Sequence, residues 1–136
     1  DAILCNRFKE FCERMAERFP NDIFSLFNMK CRSIPIPMYS IYKEVGCAGG
    51  VCAIIPREYI KGIIEFQERH YPTSVNDDNM LVIWSERNKV NLWNTYPSVT
   101  STSVGESYME HTLGAPRLVE QDPCEHEWNL LDRNKY

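Results

Sequence analysis

Gly46-Cys47-Ala48-Gly49-Gly50-Val51-Cys52-Ala53-Ile54-Ile55-Pro56-Arg57 is the stretch on which the fold class turns. Its glycines permit positive φ and close backbone approach, which leaves two readings, a tight connection or a place where a ligand rests on the backbone. The unbroken apolar run Val51 to Ile55 predicts a buried strand. Pro56 then suits the first turn of a helix, and Tyr59, Ile60, Ile63, Ile64 and Phe66 carry a helical stripe to about His70. A glycine turn, a strand and a helix in immediate succession predict an α/β chain.

Working upstream, Tyr39 to Val45 is rich in β-formers and reads as a strand. Ser33 to Pro37 contains two prolines, which lack the donors a central strand needs, and reads as a loop or edge segment. Ile23 to Phe27 predicts another buried strand. Before it, Phe8, Phe11, Cys12, Met15 and Phe19 recur at spacings of three and four among charged residues, which predicts an amphipathic helix from about Cys5 to Phe19. Downstream, Tyr71-Pro72 breaks the second helix, and the acidic stretch Ser74 to Asn79 opens a third that runs to Asn88. Val90 to Trp93 predicts a short strand, ended by Tyr96-Pro97. Ser98 to Ser107 is rich in hydroxyls, which either line a polar site or solvate a loop. Residues from about 108 to 136 have little periodicity and are expected to wrap the surface as extended coil. The whole predicts a mixed sheet flanked by helices, with more than one antiparallel pairing, over residues 1–136 as a single domain or domain fragment.

Composition narrows the function classes. A chain of 136 residues with 43% hydrophobic content has the material for one core. Its formal charge of −4 gives no basic surplus to hold phosphate backbones, so general nucleic-acid binding is disfavoured. No apolar run approaches the roughly 20 residues that span a bilayer. The six cysteines (Cys5, Cys12, Cys31, Cys47, Cys52, Cys124) read as free, mostly buried thiols, because a chain of this size does not need staples. A reducing compartment, and so a cytoplasmic location, is expected. Cys47, Cys52, Cys124 and His126 could form a zinc site, but they lack the short paired spacings of one. The chain opens at Asp1 directly before a helical pattern, and this beginning reads as a cut.

Asn76-Asp77-Asp78 stands at a helix mouth, where side chains of this kind commonly cap the helix. The alternative role is a carboxylate placed to take a proton from a hydroxyl. Asp1, if residues precede it, is an acid at a strand end. No Gly-x-Ser-x-Gly elbow is present to support hydrolase chemistry of that kind.

Taken in order, Asp1-Ala2-Ile3-Leu4, the Gly49 to Arg57 segment, Asn76-Asp77-Asp78 and Trp93-Asn94-Thr95-Tyr96-Pro97-Ser98-Val99 resemble the C-terminal part of a nucleotide-sugar-dependent glycosyltransferase of the GT-A fold. The resemblance implies transfer of a sugar from a nucleotide-sugar donor, a UDP-sugar by preference, to an acceptor hydroxyl, assisted by Mn²⁺ or Mg²⁺. Under it, Asp1 is the last carboxylate of the metal motif. Gly49 and Gly50 are backbone positions beneath the donor sugar. Asp78, or Asp77, activates or orients the acceptor. Many relatives carry a His soon after the Pro-Ser segment, where this chain has Thr100-Ser101-Thr102-Ser103. In that family the nucleotide-binding strands precede the metal motif, so these residues are expected to be the acceptor-side piece of a longer chain, completed by an N-terminal half or a partner chain. The alternative expectation is a non-catalytic interaction domain in which Tyr39, Tyr42, Trp93 and Tyr96 form a partner surface.

Overall fold

The computed structural model describes residues 2–26, 39–43, 52–70, 77–96, 99–102 and 122–131. In chain order they form β1 (Ala2–Leu4), α1 (Phe8–Arg18), β2 (Ile23–Ser25), β3 (Ser40–Lys43), β4 (Ala53–Ile54), α2 (Arg57–His70), α3 (Asp77–Asn88), β5 (Leu92–Tyr96), β6 (Thr100–Thr102), a 3₁₀ turn (Pro123–Glu125) and β7 (Asn129–Leu131). Five strands make one mixed sheet in the order β4-β2-β5-β3-β7, and β1 pairs with β6 in a second, two-stranded ladder. The pairs β2–β4, β3–β5 and β1–β6 are antiparallel, while β2–β5 and β3–β7 are parallel. The chain is thus α/β with helices against a mixed sheet.

Because successive side chains of a strand point to opposite faces, β2 and β5 each serve two cores. Phe24 and Trp93 face α1, where Phe11, Met15, Ile41, Leu26, Val99 and Trp128 complete one apolar cluster. Ile23 and Leu92 face the other way and meet Ile63 of α2 with Val82 and Trp84 of α3. Helices therefore cover both faces. The predicted amphipathic pattern of α1 is realised, with Phe11 and Met15 buried and Glu10 and Arg14 paired at 2.7 Å on the outside. α2 and α3 approach closely at Gly62, where an added Cβ would lie 3.4 Å from the Trp84 ring.

Four expectations need correction. Val51 to Ile55 is not a fully buried strand: within the described residues only Ala53–Ile54 ladder, at the sheet edge beside β2, and Ala53 is exposed. An apolar run without alternation carries no information on whether one or two neighbours flank it. The strand predicted at Val90–Trp93 instead spans Leu92–Tyr96 and is the centre of the sheet, its continuation masked in sequence by Asn94, a residue depleted from strands. Part of the hydroxyl-rich stretch is β6, not a solvated loop. Finally, residues 122–131 are not surface coil. The Asp122 side chain caps the 3₁₀ turn by accepting from the Cys124 N–H at 2.8 Å, Trp128 enters the first core, and β7 extends the sheet beside β3. One buried Trp gives this segment an anchor that period-based reading of a turn-rich stretch does not register.

Candidate functional site

The β4 strand runs antiparallel to β2, so its entrance lies at the exit of β2. There the Leu26 N–H donates to the Cys52 carbonyl at 3.0 Å. The Leu26 carbonyl in turn accepts from Val99 N–H at 3.2 Å, Thr100 N–H at 3.3 Å and the Thr100 hydroxyl at 3.1 Å. The Val99 carbonyl accepts from Cys5 N–H at 3.2 Å. These bonds join Cys52, Leu26, Val99 and Cys5 side by side and tie the β1–β6 ladder to the carboxyl end of β2. Ala2, the first described residue, stands opposite Thr102 in that ladder.

The third helix packs on the face of the sheet opposite to α1. α3 turns into β5 through Lys89, whose φ of 56° is left-handed, and the Val90 N–H donates to the Ser85 carbonyl at 2.9 Å. Val82 and Trp84 lie over the Leu92 end of the sheet. Asp77 and Asp78 open this helix. In open α/β sheets ligands bind outside the carboxyl ends of the parallel strands.

The floor at this end is polar. Register places Ser25, Asn94 and Tyr42 side by side across β2, β5 and β3, with Ser40 beside Tyr96 one step further along the same face. Ser25 and Ser40 are 0% exposed, Asn94 2% and Tyr42 5%, so a row of neutral hydrogen-bonding groups replaces the apolar packing found at Ile23 and Leu92. Each of the four has an interaction partner. Sequence reading missed this row, and its one signal was the Asn inside a strand-forming run.

Of the predicted site residues, Asp77 and Asp78 are the first two residues of α3. Asp1, Gly49 and Gly50 lie outside the described residues, as do Asn76, Cys47 and His111. Ala2, which follows Asp1, begins β1, and Cys52, two residues after Gly50, directly precedes β4. Tyr42, Tyr96 and Trp93 do not share a surface: Trp93 faces α1 and donates its Nε1–H to Asp22 at 2.7 Å, while Tyr42 and Tyr96 are on the opposite face. Tyr39 stacks on the His126 ring with centroids 3.7 Å apart.

Cys5, Cys12, Cys52 and Cys124 are free thiols, all packed in or against the α1 core. Burial pushes Cys5 up to about 11. It does the same for Cys12, with a smaller contribution from the neighbouring Cys52 and Cys5 thiols, and it raises Cys52 and Cys124 as well. Burial of this kind keeps a thiol protonated and slows its reactions at neutral pH. Among the described residues no three His, Cys, Asp or Glu side chains stand close enough to hold a metal ion, so Cys52, Cys124 and His126 do not by themselves make the zinc site weighed from sequence. Among the same residues, no helix is long and apolar enough to cross a membrane. Comparison of the chain with models of protein families, with curated proteins and with solved structures gave no match.

Proposed function

We propose that these residues are the acceptor-side part of a glycosyltransferase catalytic domain of the GT-A type, which moves a sugar from a nucleotide-sugar donor to an acceptor hydroxyl. The observation that supports this reading is that the β1–β6 ladder and the entrance of β4, the elements next to two of the sequence motifs, are hydrogen-bonded together at the carboxyl end of β2.

In this reading Asp78, or its neighbour Asp77, accepts the proton of the acceptor hydroxyl. The acceptor oxygen bonds to the anomeric carbon while the bond from that carbon to the diphosphate oxygen breaks, its electron pair leaving with the nucleoside diphosphate. A general base in this position contributes roughly 10²- to 10⁴-fold, and the first turn of a helix is where negative charge is favoured. Gly49 and Gly50 lie beneath the donor sugar, where the absence of a Cβ admits close backbone approach. Mn²⁺ or Mg²⁺, when bound, supplies charge on the departing diphosphate, with Asp1 as the carboxylate of this chain assigned to it. The buried polar row Ser25, Asn94 and Tyr42 crosses the sheet beside the carboxyl end of β2.

The test begins with the intact mass of the native product, which sets the length to express. That form is then incubated with Mn²⁺ and a panel of UDP-sugars, and released UDP is measured with and without hydroxyl acceptors. Turnover is expected, and Asp78→Asn or Asp77→Asn should lower kcat by roughly 10²- to 10⁴-fold at unchanged thermal stability. No release from any donor, or full turnover in the Asp77→Asn/Asp78→Asn double variant, overturns the reading.

A further inference from the structure

We draw no further inference here: the strongest candidate, the half-open cavity of about 330 Å³ between the C-terminal half of α3 and the end of β3, lined by Lys43, Val82, Ser85, Glu86, Lys89 and Leu92, carries nothing, because its charged groups are exposed side chains of both signs, its buried Ser85 hydroxyl already donates to the Leu81 carbonyl, and nothing in the structure shows what fills it.

Discussion

Thr95 lies at the centre of the sheet on the α1 side, fully buried, and its hydroxyl has no hydrogen-bond partner among the described residues. A buried polar group left unmade costs about 1–3 kcal/mol. Thr95→Val keeps the branched shape and removes that group, so thermal unfolding should move up by about 3–4 °C for a gain of about 1 kcal/mol in a chain of this size. A lowered midpoint would show that the hydroxyl is bonded in solution. The thiols give a second check at this scale. Since burial raises all four, iodoacetamide at pH 7.5 should label the peptides bearing Cys5, Cys12, Cys52 and Cys124 slowly in the folded protein and rapidly in denaturant, as read by mass spectrometry. Much of the core was legible residue by residue, because periodicity marks Phe11, Met15 and Ile63 directly. The backbone was not: Arg7, Tyr39 and Lys89 adopt left-handed φ values of 52°, 58° and 56°. That conformation favours glycine or asparagine, so an Arg, a Tyr or a Lys gives no warning of it.

Between elements, the contact that sequence reading passed over is the docking of residues 122–131 on α1. Arg7 bridges Glu10 and Asp122, Arg14 donates to the Cys124 carbonyl at 3.0 Å, and Arg18 donates to the Trp128 carbonyl at 3.3 Å. Trp128 then packs on Phe11 with ring centroids 5.1 Å apart. The Arg7 and Arg14 guanidiniums hold the Glu10 carboxyl below its ordinary value of 4.5. At Asp122 desolvation pulls upward, but hydrogen bonds from the Cys124 N–H and Arg7 outweigh it and the carboxyl lies below 3.8. Both groups are depressed in the folded state, so their contribution is complete above the ordinary carboxylate range and fades as pH falls through the folded values. Acid titration below about pH 4 should increase hydrogen exchange across 122–131 before the rest of the molecule opens, and Asp122→Asn should flatten part of that response. Exposed ion pairs are weak and screened, so added salt should loosen the same segment modestly at neutral pH. The helices themselves were legible because each carries a stripe or a bounded apolar run. The 3₁₀ turn and β7 were not, since three-residue elements are too short to show a period.

At the scale of the molecule, alternation of strand and helix was enough to give the α/β class. The strand order was beyond reach. Which strands become neighbours is decided by long-range packing, as when β2 finds β5 in parallel across the intervening β3, β4, α2 and α3. Of the candidate residues, type and order single out Asp77 and Asp78, which open α3, whereas the polar row at Ser25, Asn94 and Tyr42 exists only once three strands are in register. Removing residues 122–136 tests the architecture as a whole. Loss of a buried Trp alone costs about 3–5 kcal/mol, against a total stability of about 5–15 kcal/mol for an ordinary domain. The chain ending at Gln121 should therefore lack a cooperative thermal transition by circular dichroism.

The pairing of β7 with β3 also sets a timetable for the chain as it is made. β3 leaves the ribosome early and must keep one flank open until Asn129 to Leu131 emerge, and β1 waits in the same way for Thr100 to Thr102. Non-local pairings of this kind fold slowly, and a strand with a free edge in the meantime invites partners from other chains. Newly synthesised copies should depend on chaperones during that interval more than the finished fold does.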